Sequence, residues 1–189
     1  MKDAVLVAVH PGYVRTYGLA IPRFGDYEGY LSRLYNELTR RKSIVFAYKN
    51  TKIPFRVPND VKIIRDHNRG CYVKELIKEL KAMGAGRVQV GGESLWFNGG
   101  NINENLERFA EKLPPDKKTQ FENALQKMHV ISPSSLAKRV GLDSKQIAED
   151  IFYTGNEICD GCVCHVFREL DDYFAPSIVR ELCYPTTDP

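Results

Sequence analysis

Short apolar runs with the length and composition of buried strands constrain this chain more than any other feature. Residues 4–9 read Ala-Val-Leu-Val-Ala-Val, with no polar residue at alternate positions, and that pattern belongs to a strand covered on both faces. His10-Pro11-Gly12 closes it with a turn. A polar and aromatic loop holding Tyr13, Arg15, Tyr17, Arg23 and Phe24 follows. Asp26 then has the place of an N-cap, and Tyr27, Tyr30, Leu31, Leu34, Tyr35 and Leu38 recur at helical spacing up to the basic Arg40-Arg41-Lys42.

The alternation continues. Residues 43–48 and 61–65 read as the second and third strands, with Pro54 and Pro58 keeping the stretch between them irregular. Val73, Leu76, Ile77, Leu80 and Met83 form a second helical stripe, closed by Gly84 and Gly86, and residues 87–90 read as a fourth strand. Strand, helix, strand, strand, helix, strand predicts an α/β fold, a Rossmann-like three-layer sheet that is mostly parallel. Residues 1–100 are the sheet domain. Residues 101–153 carry helical stripes and no good strand, and read as a helical insertion punctuated by Pro114-Pro115. Residues 154–189 supply a helix starting near Cys162 and a last strand over residues 178–184, which complete the α/β domain.

Composition fits an ordinary globular chain: 189 residues, 43% hydrophobic and 27% charged. The first apolar run is too short to cross a bilayer and lacks a small-residue cleavage site, so no membrane partner is expected and the expected compartment is the cytoplasm. Five cysteines, an odd number, argue against a secreted disulfide framework. Charge is unevenly spread: residues 1–100 carry +8 (17 basic against 9 acidic side chains), residues 101–153 are neutral, and residues 154–189 carry −5. The basic half suits an anionic small ligand or a nucleic-acid backbone, and the acidic end argues against a uniformly basic coat.

Reactive side chains fall just past three of the strands. In a parallel sheet such positions converge on the carboxyl edge, where α/β folds bind ligands. His10 follows the first strand; Asp66, His67, Asn68, Arg69, Gly70 and Cys71 follow the third; Gly91, Gly92 and Glu93 follow the fourth. Arg69 and the backbone N–H groups near Gly70 suit an anion, with Asp66 and Asn68 beside them. The same field would lower the pKa of Cys71. His10 or His67 has the chemistry of a general acid or base, Glu93 that of a carboxylate partner, and the two glycines allow close backbone approach. The same residue types also serve ordinary turns and caps. With neither a G-x-x-x-x-G-K-[ST] loop nor a G-x-G-x-x-G fingerprint, hydrolysis or group transfer on a small anion fits better than dinucleotide redox chemistry.

Two further segments carry motifs. Cys159, Cys162, Cys164 and His165 concentrate metal-ligating types, and a C-x-x-C pair chelates zinc when two more ligands join it, here from Cys164 or His165 with Cys183 or His129. Zinc is therefore the candidate cofactor. A reactive thiol at the helix start and plain core packing are the alternatives. The Gly161-Cys162-Val163 helix start, coming after the Val90-Gly91-Gly92 strand end, distantly resembles the isochorismatase-like cysteine hydrolases. That family places an Asp after the first strand, a Lys after a middle strand and a nucleophilic Cys at a helix start after the fourth. The resemblance implies an α/β fold and marks Cys162 for substitution. Here His10 stands at the position of the Asp, and Cys162 comes about 70 residues after Gly92.

Residues 132–151 resemble the helix-turn-helix motif of DNA-binding regulators, with Ala137 where the helices cross, Gly141 in the turn and Ile147 in the second helix. Ser132 and Pro133 have the N-cap and N1 places, and Asp143 with Gln146 resembles a capping box. The segment pairs Lys145 and Gln146 with Glu149 and Asp150, so a structural helical hairpin is favoured over DNA recognition.

Overall fold

The computed structural model of the chain describes residues 4–17, 26–66, 73–94, 102–153 and 163–185. It is a mixed α/β fold. In chain order the elements are β1 (Val5–Val9), α1 (Tyr13–Tyr17), α2 (Tyr27–Arg40), β2 (Ser43–Tyr48), β3 (Lys62–Asp66), α3 (Lys74–Ala82) and β4 (Arg87–Ser94). There follow α4 (Ile102–Glu111), α5 (Pro115–Gln126), β5 (Val130–Ile131), α6 (Pro133–Val140), α7 (Ser144–Ile147), a π-helical turn over Ala148–Phe152, α8 (Val163–Asp171) and β6 (Ala175–Pro185).

One six-stranded sheet runs in the order β3-β2-β1-β4-β6-β5, parallel throughout except for β5, which lies antiparallel on β6. The chain builds outward from β1 to β3, then returns past β1 to place β4 on its other side. The strand order therefore reverses between β1 and β4. β1, between β2 and β4, is buried along its length, which is why the run over residues 4–9 has no polar alternation.

Side chains of β1 divide by parity. Leu6 and Ala8 pack in a cluster with Tyr30, Leu34 and Leu38 of α2, and the irregular segment between β2 and β3 joins it through Ile53, Phe55 and Val57. Val5, Val7 and Val9 pack in a second cluster with Leu76 and Leu80 of α3, Val166 and Phe167 of α8, and Phe109, Phe121, Leu136 and Ile147 of the helices between β4 and α8. Those helices thus share a core with the sheet.

Local signals hold where they were strong. Asp26 caps α2 by accepting from Gly29 N at 2.8 Å. Ser132 caps α6 reciprocally with Ser135, Gly141 turns the chain in the left-handed region, and Asp143 accepts from Lys145 N. Asp143 thus caps α7 without a reciprocal bond from Gln146 in the described hydrogen bonds. Three features differ from expectation. Residues 13–17, expected as loop, form α1; the expected strandless stretch contributes the two-residue β5; and the last strand begins at Ala175, three residues early. The first two are too short to show a period. The third opens on Pro176 and then breaks register, with Val179 to Leu182 standing opposite the single Gly91, so no alternation survives. Among the described residues no helix is long and apolar enough to cross a membrane.

Leu34 is fully buried in α2, whereas the Lys78 side chain is 78% exposed on α3. Leu34→Ala is expected to cost about 2–5 kcal/mol and Lys78→Ala within about 0.5 kcal/mol, read by urea denaturation. Equal costs would contradict this placement of the core.

Candidate functional site at the carboxyl edge of the sheet

The sheet register aligns the ends of four strands. Val9 lies between Phe46 of β2 and Gly92 of β4, and Tyr48 pairs with Asp66 of β3. His10, Tyr48, Asp66 and Glu93 thus stand in a row along one edge, with the reversal of strand order between His10 and Glu93. That is the crevice position of doubly wound sheets.

His10 is under two local constraints. Its backbone is left-handed, with φ of 49°, held by its N–H donating to Phe46 O at 2.7 Å and its carbonyl accepting from Tyr13 N at 3.1 Å. Such a conformation in a residue other than glycine costs about 1–2 kcal/mol. The imidazole is completely buried, and neither Nδ1 nor Nε2 has a hydrogen-bond partner among the described residues. It stacks on the Tyr48 ring at 4.0 Å, with Phe46 at 5.5 Å and Tyr13 at 6.1 Å. With aromatic rings around it, desolvation pulls its pKa down to about 3, so the ring is neutral at physiological pH.

Glu93 is equally buried and fully engaged. Oε1 accepts from Gly12 N at 2.7 Å and from Tyr27 Oη at 2.8 Å, and Oε2 accepts from Val14 N at 2.7 Å. The carboxylate thereby satisfies N–H groups at the start of α1 and ties β4 to the turn that carries His10. Burial raises its pKa, and the bonds from Val14, Gly12 and Tyr27 hold the rise back. Tyr27, in turn, has its pKa pushed far up by burial and by this carboxylate, with the Arg15 guanidinium 5.1 Å over its ring acting the other way. Glu93 and His10 have different neighbours. Glu93 is turned toward α1 and α2, and His10 toward β2.

The two glycines of β4 serve the protein's own packing. A Cβ on Gly91 would stand 2.7 Å from Leu182 Cβ, in the register break of β6. One on Gly92, whose φ is 138°, would stand 2.1 Å from Val9 O. The close approach expected for a ligand is made instead by β1 and β6.

Sequence reasoning missed Tyr48 and Arg65. Arg65 donates from Nη1 to Tyr48 O at 2.9 Å and to Thr51 O at 2.7 Å, and it makes no carboxylate ion pair among the described residues. The available signal was position: both residues close apolar runs, as His10 does. Of the remaining candidates, Asp66 ends β3, whereas His67, Asn68, Arg69, Gly70 and Cys71 lie outside the described residues.

Cys159 and Cys162 also lie outside them. Cys164 is a free, buried thiol in the α8 core, with His165 half-buried next to it. Cys183 donates to Val179 O, and burial pushes its pKa up to about 12, which keeps the thiol protonated. His129 pairs with Glu181 at 3.4 Å. Among the described residues no three His, Cys, Asp or Glu side chains are placed to hold a metal ion. Comparison of the chain with protein-family models, with curated proteins and with solved structures finds no match in any of the three.

Two outcomes are expected. Gly92→Ala should lose well over the roughly 1 kcal/mol expected of Gly84→Ala, where φ is also positive but nothing lies within 4 Å; equal losses would remove the packing account. For His10, a folded pKa near 3 against 6.5 unfolded means that the unfolded chain binds more protons in between. The stability from neutral His10 is complete above pH 6.5 and is lost as pH falls toward 3, by at most about 1.4 kcal/mol per unit. His10→Asn, which tolerates the left-handed backbone, should flatten that acid slope in urea titrations between pH 4 and 7.

Proposed function

We propose that this protein is an enzyme or binding protein for a small anionic ligand held at the carboxyl edge of a Rossmann-like three-layer sheet, in the crevice next to His10. One observation carries the reading: His10 combines left-handed backbone, complete burial and two unpartnered ring nitrogens at the point where the strand order reverses. A fold retains such costs where a site needs them. The +8 charge of residues 1–100 favours an anion, and Arg65 is a cation at the same edge. Arg69, which follows β3 in sequence, is a second anion-binding candidate. Binding requires one of the groups covering the imidazole to turn aside, and Tyr13 and Tyr48 are the part-exposed rings among them.

Hydrolysis or group transfer remains the preferred chemistry, with His10 contacting the ligand and Glu93 as a positioning residue that fixes the turn bearing it. The competing reading, nucleic-acid binding through α6 and α7, is favoured by the left-handed joint at Gly141 between two capped helices. Lys145, the basic residue of α7, lies 4.0 Å from Glu149, which weakens the electrostatic attraction such binding needs.

A thermal-shift panel of nucleotides, phosphorylated metabolites, carboxylic acids, duplex DNA and divalent metals tests both. A small anion at a hundredfold excess over its dissociation constant should add about 2.7 kcal/mol of stability, and His10→Asn and Arg69→Ala should each remove the shift. A response to duplex DNA alone, abolished by Lys145→Ala with Gln146→Ala, would replace this reading with the competing one. A response to zinc alone would move the site to residues 159–165.

A further inference from the structure

We propose that the protein carries a second ligand site, in the cavity between α5 and β6, where Arg180 takes the carboxylate of a small organic acid. The cavity measures about 420 Å³, within the range of about 300–1,000 Å³ usual for small-molecule sites. It lies beside β6, two strands from β1, and so apart from the crevice next to His10. Arg180 is already oriented there. Its Nη1 donates to Leu125 O at 2.6 Å and to Met128 O at 3.4 Å, which fixes the guanidinium at the end of α5. Among the described residues Nη2 makes no hydrogen bond, and Nε is buried without a partner.

This half-buried cation makes no carboxylate ion pair among the described residues. Glu181, next to it in sequence and on the same cavity wall, pairs with His129 at 3.4 Å instead. Burial lowers the Arg180 pKa, and no carboxylate offsets that. An incoming carboxylate recovers part of the desolvation cost, because a planar anion meets Nη2 and Nε as a fork. Nε is enclosed, so that second contact needs a wall side chain to shift, and the exposed Gln126 and Glu181 have that freedom. The walls also select the class of anion. Leu125 and Met128 offer apolar surface to a carbon body. Among the described lining residues Arg180 is the one permanent cation, and Glu181 opposes further negative charge, so a monoanion is matched and a phosphate dianion is not.

The test is calorimetry on the full chain with phenylacetate and hexanoate, their uncharged amides, and inorganic phosphate. Each acid should bind at least about tenfold more tightly than its amide and than phosphate. Gln126→Glu adds a negative charge to the wall and should weaken both acids at least about threefold, whereas Glu181→Gln removes one and should tighten them by about as much. Both side chains are exposed, so the fold should survive the changes. Arg180→Lys, which keeps the charge and loses the fork, should weaken binding at least about tenfold. In the wild type, the Arg180 Nε–H proton resonance, identified by its loss in that variant, should move downfield on titration with either acid. Equal affinity for acids and amides, tighter binding of phosphate, or an Arg180 Nε–H resonance that stays in place at saturation would each overturn the inference. Affinity that neither Gln126→Glu nor Glu181→Gln changes would put the acid elsewhere on the molecule, and no binding of either acid would end the inference as well. The reading at His10 stands or falls separately, on its own variants.

Discussion

A single carboxylate joins the two halves of the sheet at the place where they diverge. Glu93 leaves the end of β4, crosses beneath α1 and accepts from Gly12 N, Val14 N and Tyr27 Oη. Without it the turn after β1 would carry buried N–H groups with no acceptor, each a cost of about 1–3 kcal/mol. The left-handed residue His10 stands immediately before that turn. Gly91 and Gly92 let β4 approach β1 and the irregular part of β6 closely enough for Glu93 to arrive there. The crevice that in other open sheets receives a ligand's anion here holds an internal carboxyl group on the α2 side.

The two buried titratable groups respond to pH in opposite senses. Glu93 has a raised pKa, so the folded chain binds its proton more readily than the unfolded one, and stability drains away as pH rises through its folded pKa. His10 has a lowered pKa, and its contribution drains away as pH falls. They lie one residue beyond a register pair, Val9 with Gly92. A fold that buries both therefore loses stability toward acid through His10 and toward higher pH through Glu93.

Much of this was legible in the residues themselves. The valine-rich run of β1, the Tyr27-to-Leu38 stripe of α2 and the capped pair at Ser132 and Asp143 each carry a signal long enough to show a period or a mechanism, and the structure follows them. The placement of His10, Asp66 and Glu93 on one edge followed from chain grammar alone. What did not follow was direction. A glutamate after two glycines reads as a free carboxylate, and only the fold shows α1 and Tyr27 meeting it. A glycine pair reads as room for a ligand, whereas the occupants are Val9 and Leu182, the latter 91 residues from Gly91 in sequence. Contacts between residues so distant leave no mark on the local pattern, which is also why Tyr48 stacked on the His10 ring and Arg65 on the Tyr48 carbonyl were overlooked.

The position of β6 has a consequence for how the molecule is made. β4 is a central strand, yet its outer neighbour begins 81 residues after β4 ends, at Ala175. At a synthesis rate of about 5–20 residues per second, that interval lasts about 4–16 s, during which β4 presents an open edge on the ribosome. Throughout that time the apolar faces of α4 to α7, which belong to the same core as Val88 and Val90, are the nearest cover the newborn sheet has. Those helices cover a face of the sheet, and the open edge of β4 is closed only when β6 pairs with it.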